Sequence, residues 1–484
     1  MKRHLTGLFV GASLLAGCSL QPRYERPPPA VPPSWPTGAA YAAQDTAPLP
    51  AVRYQDIFRD ARLQAIIERA LSNNQDLRLA AANVAAARAQ LRITRAQQLP
   101  QIDASANASF SEQGRARRTS GTTSSGVNES YAVDAGLSAF EIDLFGRLRS
   151  LSTAAREEYL GTQAAQQVVR LSLIAEIASA WATLATDRSL LAIARDTQAS
   201  AEQTVSLTRA RLRGGIAART DLLQAQTIAA QARGDVADFT TLVAQDRNAL
   251  ELLVGAPVAD TELPDGIETI DSAFAELPAG LDSRVLLRRP DVAEAEYRLR
   301  ASNARIGAAR AAFFPTISIT GLAGLASSAL GSLFTGDAFT WSAGAGASLP
   351  IFDGGARAGN LQQARAERDA ALANYQRAIQ SAFRDVADAL ARHGTIDARF
   401  AAAEELGAAA QGSYTLVEAR YRAGIDPFLE SLDAQRTLYS ARRSLANARL
   451  VRVNNRVDLY RALGGDALVD VSDAKGPSSP VRAE

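Results

Sequence analysis

The longest uninterrupted helical stretch constrains the fold of this chain more than any other feature. Residues 147–213 contain no proline and only one glycine, Gly161, and they are rich in Ala, Leu, Gln, Glu and Arg, which favour helix. At 1.5 Å per residue, the stretch predicts a helix of roughly 100 Å. No compact domain needs a helix of that length.

The second half of the chain repeats the first. Residues 91–100 parallel residues 306–315, and residues 211–216 parallel residues 420–425. Two copies of roughly 200 residues are much longer than the repeats of solenoid proteins, so they indicate a duplicated domain.

Four short stretches, two in each copy, alternate apolar and polar or small residues and therefore predict strands. They lie at 102–110, 131–139, 317–325 and 339–349. Each is long enough to cross a bilayer when tilted. Four strands cannot close a barrel, and an open sheet edge cannot lie in lipid. Either the sheet is a soluble two-layer element, or several chains share one barrel.

The first seventeen residues resemble a bacterial lipoprotein signal peptide. A short basic start precedes an apolar run that ends in Leu15, Ala16, Gly17 and Cys18, which resembles a lipobox. The resemblance predicts cleavage before Cys18 and lipid attachment to its thiol. Ser19 follows, and the absence of Asp at that position favours sorting to the outer membrane. No later segment has 18 uncharged apolar residues, so no membrane-spanning helix is predicted.

Composition excludes several classes of function. The chain has 52 Lys+Arg and 51 Asp+Glu, so it lacks the basic excess that nucleic-acid binding requires. Two histidines and one cysteine argue against His-dependent catalysis, His/Cys metal sites and internal disulfides. Acidic residues on the long helices are expected to pair with Arg one turn away, so no carboxylate-pair hydrolase is predicted. The chain is therefore predicted not to be an enzyme and to need no cofactor apart from its N-terminal lipid.

Three motifs resemble those of the TolC-like outer-membrane factors, specifically the lipoprotein branch of resistance-nodulation-division (RND) multidrug efflux, the OprM/NodT type. They are LLRRPDV at 286–292, ARIG at 304–307 and FFP at 313–315. The resemblance runs from Cys18 to about residue 465. It implies an α+β membrane protein in which three chains, each giving four strands, form a twelve-stranded outer-membrane β-barrel. A long periplasmic α-helical barrel with an equatorial domain continues it.

The resemblance also divides the chain. The predicted parts are a signal peptide (1–17), a lipid-anchored spacer and equatorial segment (18–60), a first repeat of helix, two strands and long helical hairpin (61–255), an equatorial linker (256–283), a second repeat (284–465) and a C-terminal equatorial tail (466–484).

The hairpin tips are where the resemblance implies a gate. The family has an Asp after the first tip and a Tyr and an Arg around the second, and these residues tie neighbouring helices shut. Asp221 and Tyr421 match the Asp and the Tyr, whereas Asp426 stands where the family has the Arg. Arg219 or Arg422 are alternative residues for this tie. Acidic rings that narrow the pore fall on Glu430 and Asp433. The predicted adaptor contacts at the two tips are Gly214, Gly215, Ile216, Gly424 and Ile425.

Spacing supports the acidic ring independently of the resemblance. Asp426, Glu430 and Asp433 are separated by four and three residues, which predicts one helical face. A solvated surface face is the alternative. Three-fold symmetry would gather these carboxylates around one axis, where they attract cations.

The predicted function is a passive trimeric exit duct in the bacterial outer membrane for drugs and other small molecules. The predicted partners are a second and third copy of the chain, a periplasmic adaptor, an inner-membrane RND transporter and outer-membrane lipid, with no nucleic acid. A type I protein-secretion duct or a heavy-metal duct is the alternative within the family. A lipid-anchored coiled-coil structural protein is the alternative from another class, because the steps from Ile379 to Phe383, Val386 and Leu390 follow coiled-coil spacing.

Overall fold

The computed structural model describes residues 20–41, 53–112, 127–276 and 283–471. The predicted lipid site Cys18, residues 113–126 and the end of the predicted C-terminal tail lie outside these residues. In chain order the elements are α1 (Tyr54–Ile57), α2 (Ala61–Asn73), α3 (Gln75–Ala96), β1 (Ile102–Ser111), β2 (Asn128–Ile142), α4 (Arg147–Arg213), α5 (Arg219–Val254), α6 (Ile267–Ile270), α7 (Pro290–Ala311), β3 (Thr316–Ser327), β4 (Phe339–Ser348), α8 (Ala356–Arg422) and α9 (Phe428–Ala462).

The duplication seen in the sequence extends to the lengths of the helices. Helices α3 and α7 have 22 residues each, and α4 and α8 have 67 each. The returning helices α5 and α9 have 36 and 35 residues. Each copy therefore consists of one medium helix, two strands and a long helical hairpin, in the predicted order.

The described chain forms two compact units, and each draws on both repeats. The first comprises the described residues of Met1–Pro27, Val84–Gly161 and Ala295–Tyr375. The second comprises those of Pro28–Asn83, Thr162–Glu294 and Gln376–Glu484. The division predicted from the sequence follows the repeats rather than these units, and it stays a prediction.

The first unit contains one antiparallel sheet with the strand order β1-β2-β3-β4. β1 pairs with β2 from Ile102 opposite Leu137 onward, and β3 pairs with β4 from Thr316 opposite Ser348 onward. In the middle ladder, Ala139 is an extra residue with φ +86°, which forms a bulge in β2. Both outer edges of the sheet, on β1 and β4, remain unpaired in the single chain.

In the second unit, aromatic residues from distant parts of the sequence form a core. Phe58 packs edge-on against Phe274 and Tyr460, with ring centroids 5.5 and 5.3 Å apart. The predicted linker enters this core through Phe274. Asp271 in the same linker pairs with Arg456 of α9, which ties the linker to the returning helix.

The first repeat was predicted to begin with one helix, but the structure interrupts this helix at Asn74. This residue adopts ψ 134°, outside the helical region, and its side chain accepts a hydrogen bond from the Leu77 backbone N–H at 2.9 Å. Its amide nitrogen donates to the Leu253 carbonyl at the end of α5. Asparagine favours such a cap over a helix interior, so α3 starts as a new helix.

One helix in the described chain is long and apolar enough to cross a membrane, although no membrane-spanning helix was predicted from the sequence. An 18-residue window of α4 has a mean hydropathy of 1.5, but 56% of that window is buried within the chain. A core helix has the same composition, so this window is weak grounds for a membrane span.

Two carboxyl groups on neighbouring helices of the second unit influence each other's protonation. Burial and the adjacent Asp187 carboxyl of α4 raise the pKa of Asp246 on α5 to about 7, and burial also raises the pKa of Asp187. Burial and the charge of the neighbouring carboxylate both disfavour the ionised form, so Asp246 keeps its proton to a higher pH than an isolated aspartate does. Because the pKa is raised in the folded chain, this stabilisation is present at low pH and is lost as the pH rises through about 7.

We predict that Asp246→Asn reduces this pH dependence, because an amide at this position does not titrate. At pH 8.5, backbone amides of α4 and α5 around the pair should exchange about tenfold more slowly in the variant than in the wild type, while below about pH 4 the two should agree. Hydrogen–deuterium exchange with mass spectrometry measures this. The control is Asp238→Asn, an exposed residue of α5. Equal exchange of Asp246→Asn and wild type at pH 8.5 would contradict the prediction.

Candidate functional site

The two hairpin tips have the same backbone geometry. After α4, the N–H groups of Gly215 and Ile216 donate to the carbonyls of Leu212 and Arg211, and after α8 those of Gly424 and Ile425 donate to Tyr421 and Arg420. Gly215 and Gly424 have φ +76° and +77°, a conformation that glycine adopts without strain. Glycine therefore makes both turns at these two positions. Gly214 lies in the same turn without a positive φ.

Tyr421 lies buried where the two hairpins meet. It is 4% exposed, and its hydroxyl lies 3.2 Å from the Thr208 hydroxyl on α4. Its ring packs against Phe428, with centroids 5.6 Å apart. Around it lies an apolar cluster that joins both hairpins. The buried members of this cluster are Ala201, Ala225, Ile228, Ala229, Tyr421, Phe428 and Leu432.

Arg211 ties the end of one long helix to the end of the other, and sequence reasoning missed it. Its guanidinium lies 4.4 Å from the centre of the Tyr421 ring, and its Nη2 donates to the backbone carbonyls of Tyr421 and Arg422 at 3.0 Å each. These carbonyls belong to the last turn of α8, where helix carbonyls lack intrahelical partners. A cation at a helix C-terminus is also favoured by the helix dipole.

Asp221 acts locally in this structure. Its carboxylate accepts a hydrogen bond from the Ala218 N–H at 3.2 Å and so caps the first turn of α5. Within the single chain, the Tyr421 hydroxyl is paired with Thr208. Arg422, one of the alternative residues for the predicted tie, pairs with Glu418 one turn earlier.

The prediction that Asp426, Glu430 and Asp433 share a helical face was wrong for Asp426. Helix α9 begins at Phe428, so Asp426 lies in the turn before Pro427, where the chain has not yet become helical. Both Asp426 oxygens accept from Arg420, at 2.7 and 2.8 Å, and this pairing lowers the pKa of the Asp426 carboxyl.

The remaining acidic pair, Glu430 and Asp433, does share a face of α9. The two residues are one turn apart, and both are exposed in the single chain. The apolar side chains at the tips are also open to solvent: Ile216 is 76% exposed and Ile425 is 64% exposed.

Further from the tips, two polar contacts join the hairpins. The Ser200 and Tyr414 hydroxyls are 3.0 Å apart, and the Tyr439 hydroxyl donates to Asp235 at 2.7 Å. Tyr414 lies two helical turns from Tyr421, so the hairpins stay in register beyond the tips. A change confined to the tips can therefore occur without separating the hairpins.

Comparison with known proteins places this arrangement in a family. The sequence profile of the family described as outer membrane efflux protein matches residues 66–256 and 281–465. The toluene efflux pump outer membrane protein TtgC of Pseudomonas putida is 41% identical over 467 residues, which are 96% of each chain. Outer membrane protein OprJ of Pseudomonas aeruginosa is 38% identical over 454 residues, or 94% of each chain.

Solved structures agree with the sequence relatives. The open-state MtrE outer membrane channel of Neisseria gonorrhoeae is 35% identical and superimposes with a TM-score of 0.83 over 94% of this chain and 100% of its own. The CmeC outer membrane channel of Campylobacter jejuni, at 25% identity, gives a TM-score of 0.85 over 94% of this chain and 96% of its own.

The predicted fold class, a trimeric outer-membrane channel with four strands per chain continued by long helices, is confirmed by these neighbours. The predicted outer-membrane location with a periplasmic helical extension is confirmed as well. The family and its neighbours are channel proteins that serve as components of efflux pumps. The chain belongs to the outer membrane efflux protein family, and it is an outer-membrane exit channel of a tripartite efflux pump.

Proposed function

We propose that the chain is a passive duct with no enzymatic activity and no cofactor beyond an N-terminal lipid. The observation that carries this proposal is the four-stranded sheet with two unpaired edges. Hydrocarbon offers no partners for backbone N–H and C=O groups, so these edges must pair with those of other copies around a closed barrel. A barrel with a hollow helical extension supplies a path but no energy source.

We propose small apolar or amphipathic molecules, including drugs, as the cargo. The relative TtgC is described as the outer membrane protein of a toluene efflux pump. A heavy-metal duct has less support, because the described residues contain no group of three His, Cys, Asp or Glu that could hold a metal ion. The cargo would arrive from an inner-membrane RND transporter through a periplasmic adaptor.

The tips are the proposed docking surface for that adaptor. Ile216 and Ile425 present apolar side chains to solvent at the far ends of the hairpins, and the glycines beside them keep the turns narrow. Exposed apolar side chains beside tight turns suit a partner with complementary apolar tips. The proposed contact residues are Gly214, Gly215, Ile216, Gly424 and Ile425.

The gate is proposed to depend on Tyr421 and Arg211, with Asp221 and the Arg420–Asp426 pair shaping the turns beside them. The Tyr421 contacts are buried, whereas the Asp426 pair lies at the surface, where ion pairs add little stability. Opening of the gate would then require the hydrogen bonds between the Arg211 guanidinium and the end of α8 to break. In a three-fold symmetric trimer, these contacts of Tyr421 and Arg211 occur in all three chains.

We predict that Arg211→Ala favours the open channel. The variant loses two hydrogen bonds to helix-end carbonyls and the contact with the Tyr421 ring, at ~1 kcal/mol for each hydrogen bond. In planar bilayers, mean conductance of the trimer should rise about tenfold over the wild type. Tyr421→Phe, which loses only the hydroxyl contact with Thr208, should give a smaller rise.

The matched control is Arg213→Ala. Arg213 lies at the end of the same helix and carries the same charge, but it is exposed. Equal conductance of Arg211→Ala and Arg213→Ala would place the gate elsewhere. A chain that never conducts in any form would instead contradict the duct itself and favour a structural rod.

We predict that Glu430 and Asp433 make the aperture prefer cations. Three copies give a ring of six carboxylates, which attract cations and repel anions. The double variant Glu430→Gln/Asp433→Asn should lower the cation-to-anion permeability ratio at least about twofold, measured from reversal potentials in a salt gradient. Glu404→Gln/Glu405→Gln, an exposed acidic pair of α8, should leave the ratio unchanged. An unchanged permeability ratio in Glu430→Gln/Asp433→Asn would contradict a role for this carboxylate ring in ion selectivity.

We predict that Cys18 carries the lipid anchor. Cleavage at the lipobox leaves this cysteine, the only one in the chain, as the N-terminal residue. Mass spectrometry of the mature N-terminal peptide should show diacylglyceryl and acyl additions, and the additions should be absent from Cys18→Ser. A free Cys18 thiol or an intact signal peptide would contradict the assignment.

A further inference from the structure

Helices α3 and α7 occupy equivalent places in the two repeats. The first residue of α3, Gln75, corresponds to Pro290, and the last, Ala96, corresponds to Ala311, an offset of 215 residues at both ends. Each helix leads through a short turn into a strand, β1 or β3. Residues whose numbers differ by 215 therefore lie on the same face of equivalent helices.

One face of α7 is covered by an N-terminal segment, residues 20–26. Arg310 Nη1 and Asn303 Nδ2 donate to backbone carbonyls of this segment at 3.3 and 2.9 Å. Between them, a Cβ on Gly307 would lie 2.8 Å from the backbone of the segment, so the absence of a side chain allows the approach. Asn303, Gly307 and Arg310 therefore mark the covered face.

The corresponding face of α3 is strongly basic. The counterparts of those three residues are Arg88, Arg92 and Arg95. All three are exposed, and none of their guanidinium groups has an ion-pair or hydrogen-bond partner within the described part of the chain. Residues 77–102 hold four arginines and no Asp or Glu, so no neighbour in sequence offsets the charge. We call Arg88, Arg92 and Arg95 the arginine face.

A second peptide segment of the same kind does not fit the arginine face. On α7 the segment is also held by the buried Glu296 and by Arg300 beside it. Ala81 and Ala85 stand at the corresponding positions of α3 and offer no charge. Arg92 replaces the glycine that lets a backbone approach α7. Guanidinium groups instead bind phosphate oxygens through paired hydrogen bonds, so the face suits an anionic, phosphate-bearing partner.

The covered face of α7 indicates which side of the helical wall the arginine face lies on. An exit channel needs a clear interior, so a segment laid along a helix of its wall belongs on the outside. The two repeats supply equivalent helices and strands to one closed barrel, so α3 and α7 present equivalent faces to the outside. The arginine face therefore points away from the channel.

The length of β1 gives the level of the arginine face relative to the membrane. Ten residues extend about 33 Å and cover about 25 Å when tilted, which matches the apolar band of an outer-membrane barrel. The hydrocarbon thus ends near Ile102, where Leu99 and Ile102 are exposed apolar side chains. A headgroup layer of about 5–8 Å follows. Arg95 precedes Ile102 by seven residues, and its long side chain extends toward that layer.

We propose that the arginine face is a docking surface for anionic phospholipids of the periplasmic leaflet. Its guanidinium groups bind the headgroup phosphates, and each trimer carries three such surfaces around the base of its barrel. Bound lipid holds the end of α3, and with it the start of β1, at the level of the headgroups. The equivalent end of α7 is held by the chain itself.

Hydrogen–deuterium exchange of the full-length trimer in lipid nanodiscs tests this surface. In discs with about one third phosphatidylglycerol, backbone amides of residues 85–96 should exchange about fivefold more slowly than in discs of phosphatidylcholine alone, because bound lipid suppresses fraying at the end of α3. Residues 300–311, the equivalent part of α7, are an internal control. Their exchange should be the same in both kinds of disc.

A pair of matched variants separates the arginine face from net charge. In Arg92→Gln/Arg95→Gln, the difference between the two kinds of disc should fall below about twofold. Arg209→Gln/Arg213→Gln removes the same charge from exposed positions of α4 and should keep the full difference. An equal loss in both variants would overturn the proposal, because net charge alone would then explain the effect.

Two other results would also overturn the proposal. Equal exchange of residues 85–96 in both kinds of disc would assign the arginine face to contacts within the trimer. Slower exchange caused by inorganic phosphate at about 10 mM, in discs of phosphatidylcholine alone, would make the face a site for free anions rather than for a lipid surface. Slower exchange with phosphatidylglycerol only, lost in Arg92→Gln/Arg95→Gln, would support the docking surface.

Discussion

The unpaired edges of the four-stranded sheet are the constraint on which the rest of this structure depends. Every backbone N–H and C=O group on the outer sides of β1 and β4 needs a partner, and an unsatisfied group in hydrocarbon costs several kcal/mol. Each strand is about ten residues or longer, so one open edge would leave several such groups exposed. Only closure with other copies removes this cost, and closure imposes symmetry on everything covalently joined to the sheet.

Symmetry gives small contacts at the tips a large effect. The ties around Tyr421 are ordinary hydrogen bonds and a cation–π contact, each of modest free energy. These contacts involve the carbonyls at the end of α8, which have no hydrogen-bond partner within the helix. When the Arg211 guanidinium leaves, water can replace it as the donor to these carbonyls. In the proposed gate, contacts of this kind would break and form reversibly, and cooperation among three copies would make the opening sharp.

The parts of the fold set by local chemistry were predictable from sequence. Helices α4 and α8 end at Arg213 and Arg422 because glycine follows and supplies the positive φ of the turn. The strands were recognisable because one face differs chemically from the other. The break at Asn74 was missed because asparagine also occurs inside helices. What decides its role is a tertiary contact with the Leu253 carbonyl, 179 residues away.

The tip contacts were harder to predict for the same reason. Arg211 meets Tyr421 across 210 residues of sequence, and the chain is rich in arginines at similar helix ends. Asp426 was misplaced because spacing alone assumed a helix that begins only after Pro427. Spacing describes a face once the helix has started; it does not say where the helix starts. The pairing with Arg420 requires the turn that Gly424 allows.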